Sequence, residues 1–146
     1  MIAAAILTLA VSSSPSPFFF KMTPPTACEL RARGVREQAA AEDDLGHHPE
    51  AQRLWINAAQ AELSCERRDP KAIARHIPVA AFDYVLAAKA AGRSGGQSAE
   101  CAVRNEGRRR IEAFLAAAHP KFTTLQRSQA QSDLANLTKD CSQMSS

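Results

Sequence analysis

The stretch that decides the fold runs from residue 28 to residue 65, CELRARGVREQAAAEDDLGHHPEAQRLWINAAQAELSC. It holds two helical patterns set end to end. Small and apolar side chains recur at Cys28, Ala32, Val35 and Ala39, then at Ala51, Leu54, Trp55, Ala58, Ala61 and Cys65. These are the three- and four-residue steps of a single helix face. Gly46-His47-His48-Pro49 separates the two patterns. A glycine suits the position just past a helix C-terminus, and a proline suits the first turn of the next helix. Thr26 with Glu29 three residues on makes a capping box at the start. At about 1.5 Å per residue, residues 28–45 and 49–65 each extend roughly 25 Å. The chain therefore brings Cys65 back to the level of Cys28, where a disulfide fits.

The plan recurs downstream. Cys101 and Cys141 stand on either side of His119-Pro120. Ser98 caps a helix carrying Cys101, Val103, Ile111, Phe114, Leu115 and Ala118. The next helix sets Phe122, Leu125, Ala130, Leu134, Leu137 and Cys141 on one side. Cys28, Leu30, Arg31, Gly34 and Arg36 match Cys101, Val103, Arg104, Gly107 and Arg109, and close packing at Gly34 and Gly107 would account for glycine inside a helix. Between the pairs, Asp69-Pro70 starts a bridging helix with Ile73, Ile77, Ala81 and Val85 as a stripe beside Phe82 and Leu86. Pro78 inside it removes a donor and crowds the preceding turn, so a kink or split is expected around residues 74–77. Gly92-Arg93-Ser94-Gly95-Gly96 has the composition of a flexible loop.

The expectation is an all-α fold. It is a small five-helix bundle of two disulfide-stapled antiparallel helical hairpins joined by a Pro-kinked helix. Residues 28–141 form its single domain, 21–27 a spacer and 142–146 a frayed tail. Four cysteines allow three pairings. Hairpin geometry favours Cys28–Cys65 with Cys101–Cys141, and the alternatives pair across the hairpins. Such links matter here because the core is thin. Beyond position 20 only about a sixth of the residues are Leu, Ile, Val or Phe, and alanine buries little area. A closed loop of nearly forty residues contributes about 4 kcal/mol by the chain-entropy account.

Four paired cysteines imply an oxidising compartment. Residues 2–11 form an apolar run too short to span a bilayer, followed by Ser12-Ser13-Ser14-Pro15, in the manner of a signal peptide over residues 1–20. The implied location is periplasmic or extracellular, with no stable membrane span after cleavage.

Net charge is +3 but uneven, with six Lys and Arg against nine Asp and Glu over residues 28–69 and eleven against six over 70–141. Arg104, Arg108, Arg109 and Arg110 are the densest cationic cluster, a candidate face for an acidic protein partner. No aromatic residues interleave with it, which argues against single-stranded nucleic acid. Asp43, Asp44, His47 and His48 crowd the first hairpin turn and offer carboxylate and imidazole ligands for a divalent metal. Nucleophile-elbow, zincin and phosphate-loop motifs are absent, and no cofactor is implied. The expected function is therefore a small exported, non-catalytic helical protein that binds or inhibits a protein partner through a helical face. The alternatives are a metal-handling or enzymatic protein using residues 43–50, and a structural envelope-associated factor. Expression in an exporting host checks the N-terminal reading. Intact mass should place the mature N-terminus between residues 12 and 20, and full-length cytoplasmic chain with four free thiols would reject it.

Overall fold

The computed structural model describes residues 24–65 and 69–144, with side chains through Cys141. The expected signal peptide at 1–20, the first residues of the spacer and the end of the tail lie outside the described residues. Among the described residues the chain is all-helical, with four α-helices and a 3-10 turn: α1 (Ala27–Asp44), α2 (His48–Ser64), α3 (Pro70–Ala118), α4 (Thr124–Thr138) and the 3-10 segment Lys139–Met144. Local chemistry sets the ends. Thr26 and Glu29 close the capping box on α1, Gly46 takes a φ of 80° just beyond it, and Pro49 sits in the first turn of α2. The Asp69 side chain accepts from the Lys71 amide at the start of α3, and a second capping box, Thr123 with Gln126, opens α4. His119 closes α3 in the left-handed conformation before Pro120.

Four helical spans stand where the sequence pattern suggests five, because the helical segments 70–95 and 97–118 of α3 meet at Gly96 with no loop between them. The glycine-rich stretch at 92–96 is helical, not a loop, and the break contracts to Gly96 alone, with φ 74° and ψ −173°. One residue in a conformation that only glycine adopts readily reverses the chain. The Tyr84 ring lies against Gly107, so closely that a Cβ there would sit 2.5 Å from Tyr84 Cγ. In a straight helix these residues would lie about 35 Å apart. Segments 70–95 and 97–118 therefore fold back on each other, with Gly92 facing Glu100 nearer the bend. Pro78 does not split the helix, since Gly96 is the one interior residue of α3 outside helical φ/ψ. Its ring is exposed, so the carbonyl it frees can be hydrated, and its fixed φ already suits a helix.

α2 packs against α1 and α3, and α4 packs on α3. The larger core joins Leu63, Ile73, Ile77, Tyr84 and Ile111 to Leu134 and Leu137. A smaller one beneath α1 is nearly all alanine, Ala39, Ala51, Ala87 and Ala90 around Trp55. Disulfides join Cys28 to Cys65 and Cys101 to Cys141, with Cα separations of 5.3 and 5.4 Å. α4 does not run on to Cys141. It gives way to the 3-10 segment, which continues to Met144 where a frayed tail is expected. Leu125, expected on the buried side, is 78% exposed because it lies in the first turn of α4.

The two matched glycines have opposite surroundings. A Cβ on Gly34 meets nothing within 4 Å, whereas one on Gly107 strikes the Tyr84 ring. Gly34→Ala should stabilise the protein by about 0.4–1 kcal/mol. Gly107→Ala should destabilise it by about 1–3 kcal/mol through overpacking. Thermal unfolding of the two variants side by side gives both signs.

Candidate functional site

Polar side chains inside this small-residue core are the first feature. Arg36 lies on the buried stripe of α1, between Ala32 and Ala39, and reaches two other helices. Its Nε donates to both Asp83 carboxylate oxygens at 2.9 and 3.0 Å, and one terminal nitrogen donates to Asp83 at 2.8 Å and to Glu62. Glu62 also accepts from Nδ1 of His76 at 2.6 Å, which requires the Nδ1–H tautomer. Glu62, His76 and Asp83 are buried. His76 is thus an interior residue of α3. Burial pushes the Asp83 carboxyl above the usual carboxylate range, opposed by Arg36 and reinforced by repulsion from Glu62. Burial also works against the Arg36 charge, but hydrogen bonds to Asp83 and Glu62 outweigh it and hold the guanidinium protonated. No hydrophobic pattern marks this quartet; its signal is a set of polar residues set within runs of alanine.

The structure does not assemble the expected arginine face. Arg104 is buried, clamped to Glu100 at 2.7 and 3.0 Å and donating to the Leu137 carbonyl near the end of α4 at 3.2 Å. It ties α3 to α4 beside the Cys101–Cys141 bridge and presents nothing to a partner. Arg108, Arg109 and Arg110 are exposed but paired on their own helix. Arg108 meets Glu112 at 2.8 Å, and Glu106 receives both Arg109 at 2.7 Å and Arg110 at 2.6 Å. The hydrogen bonds from Arg109 and Arg110 hold the Glu106 carboxyl low. The surface there is mixed in charge.

The first turn does not gather its four candidate ligands either. His47 pairs with Glu42 at 2.7 Å and His48 with Asp43 at 2.9 Å, while Asp43 also pairs with Arg93 near the bend of α3. That Arg93 bond, and His48 after it, hold the Asp43 carboxyl low. Asp44 joins neither pair. Among the described residues no group of three or more His, Cys, Asp or Glu side chains converges as a metal centre would require.

Two clefts remain. One, of about 180 Å³, lies between α3 and α4 and is lined by Pro78, Ala81, Phe82, Val85, Asp133, Asn136 and Leu137. Phe82 is 60% exposed, and neighbouring Val79 is exposed too. Asp133 Oδ1 accepts from Gln129 at 3.0 Å, but its Oδ2 is buried without a donor. The other cleft, of about 280 Å³, lies between the end of α2 and the second half of α3. Sequence pattern points to neither, because each forms only where helical segments distant in the chain come together. Comparison with family models, curated proteins and solved structures gives no match to this chain.

The buried quartet yields a pH-dependent expectation. Arg36→Met strands two interior carboxylates, and breaking a buried pair in this way costs about 3–5 kcal/mol. Without the guanidinium, the folded-state pKa of Asp83 rises further above its unfolded value. Protonation then favours the folded state, so the penalty is present at neutral pH and relaxes as pH falls into the carboxylate range. Thermal melts from pH 7.5 to 4.5 should show the gap from wild type narrowing; a gap that stays constant or widens would rule this out.

Proposed function

We propose that this chain is a small exported, non-catalytic helical protein that binds a protein partner, and that its binding face is the α3–α4 cleft around Phe82. The observation that carries the reading is an exposed aromatic ring beside a buried carboxylate oxygen with no donor. Large apolar side chains exposed together with other apolar residues mark interaction surfaces more often than isolated ones do. An unsatisfied buried acceptor leaves about 1–3 kcal/mol to be recovered by any donor that reaches it. The fitting partner element is an amphipathic segment with an apolar side chain for the Phe82 shelf and a Lys or Arg for Asp133, in the manner of a helix laid in a groove. The cleft is favoured over the arginine cluster as the main face because Arg104 is buried and Arg108, Arg109 and Arg110 are partly offset by Glu106 and Glu112.

Export to the periplasm or the cell exterior fits the same picture. Two disulfides suit an oxidising compartment, and no helix among the described residues is long and apolar enough to cross a membrane. We read the bundle as two disulfide-stapled helical pairs with segment 70–95 between them.

Two paired variants test the face. Phe82→Ser with Asp133→Asn should leave the melting temperature nearly unchanged and lower capture of any partner from an envelope fraction at least about tenfold. Arg108→Glu with Arg109→Glu should leave capture intact. If capture survives the first pair and is lost with the second, the arginine face is the binding site and the cleft is not.

A further inference from the structure

The second cleft is lined by Gln60, Leu63 and Ser64 at the end of α2, by Arg110, Ala113 and Phe114 of segment 97–118, and by Tyr84 at its floor. Tyr84 is fully buried, wedged against Gly107, and its hydroxyl makes no hydrogen bond of normal geometry. Tyr84 shares the lining of the cleft with Gln60 and Arg110, and Arg110, Glu106 and the Gln60 amide act on its phenol. Burial pushes it up to about 12, which keeps it a donor throughout the physiological range. Arg110 spends only its Nε on Glu106 and keeps both terminal nitrogens for other acceptors. Leu63, Ala113 and Phe114 supply an apolar wall. Gln60 is exposed, lines the cleft with Tyr84 and acts on its phenol, so a ligand that reaches the hydroxyl displaces the Gln60 amide.

We propose that this cleft is a binding site for a small carboxylic acid with an apolar ring or branched chain. Its carboxylate is held between the Arg110 guanidinium and the Tyr84 hydroxyl, and its hydrocarbon part lies against Leu63 and Phe114. Three features select that chemistry. Arg110 and the Tyr84 hydroxyl offer donors alongside Gln60 and Ser64, so a ligand that engages both of them brings acceptors. One donor is cationic with paired N–H groups, which match a carboxylate. The volume of about 280 Å³ holds more than a bare ring, since an engineered cavity of about 150 Å³ takes benzene, yet it is too small for a long chain. The site shares no residue with the α3–α4 cleft, so it stands or falls apart from partner binding.

The test uses the full chain with both disulfides intact and 3-phenylpropionate as the probe, followed by amide chemical shifts. Saturable shifts should appear at Gln60, Leu63, Ala113 and Phe114, with a Kd on the order of 1 mM as expected for so small a ligand. The neutral 3-phenylpropan-1-ol should bind at least about tenfold more weakly, and Arg110→Gln should weaken the acid by a similar factor. Tyr84→Phe should weaken it about three- to tenfold without lowering the melting temperature, because it removes a buried hydroxyl that has no partner. Absence of saturation up to 20 mM probe, equal binding of the alcohol, full affinity in Arg110→Gln, or shifts centred on Phe82 would each overturn the assignment.

Discussion

Arg36 is the constraint on which the arrangement of three helices depends. The face of α1 that meets its neighbours is Ala32 and Ala39, with Cys28 and Val35 partly buried. Such a surface is smooth. Each alanine contributes little area, and a shift by one turn would bring up a similar set of small side chains. Bulk hydrophobicity therefore supplies cohesion without register. The guanidinium supplies the register, because its planar fork meets Asp83 from α3 and Glu62 from α2 together, and the latter is shared with His76. A buried ionic network adds little net stability over an apolar packing of the same shape, but it makes every misaligned arrangement costly. In a core this thin, that specificity is what the sequence lacks elsewhere.

Segment 70–95 is the middle of the molecule for a related reason. Asp83 and Tyr84 are adjacent, and successive helix positions point about 100° apart. Asp83 turns to α1, whereas Tyr84 turns to Gly107 across the reversal at Gly96. The segment is thus held on one side by an ion pair and on the other by ring-on-backbone contact. Gly107 is what allows the second contact, and Gly96 is what brings it round. The disulfides act at a distance from both, linking the start of α1 to the end of α2 and segment 97–118 to the turn after α4. They limit the unfolded chain and leave the choice of interior register to Arg36 and Tyr84.

What the sequence disclosed is what local chemistry controls. The capping box at Thr26, the positive φ at Gly46, Pro49 in a first turn and the even spacing of the cysteines each depend on residues within a few positions or on helix length alone. What it concealed depends on neighbours distant in the chain. His76, Asp83, Arg36 and Arg104 look like surface residues because helical periodicity counts apolar side chains and is blind to a charge whose partner lies on another helix. The repeat between residues 28–36 and 101–109 shows the limit directly. Arg31 is exposed and its counterpart Arg104 is buried; Gly34 is open and Gly107 is packed. Glycine composition at 92–96 announced a break in the chain, yet only Gly96 leaves helical geometry, since four of the five residues gain more from continuing the hydrogen-bond ladder.

Charge composition misdirects for a similar reason. An excess of arginine in the second half suggests a basic surface, but Glu112 and a shared Glu106 lie three or four residues from Arg108, Arg109 and Arg110 and offset part of that charge. The more telling quantity is unused hydrogen-bonding capacity. Among the described residues, buried side-chain polar atoms without a partner occur at Trp55 Nε1, Tyr84 Oη and Asp133 Oδ2. Trp55 lies within the alanine cluster and lines neither cleft. The other two belong to residues that line clefts carrying exposed apolar surface. An interior that satisfies Arg36, Arg104, Glu62 and His76 with such economy leaves two groups unmatched at its edges, and a group unmatched beside an apolar cleft is one that binding can complete.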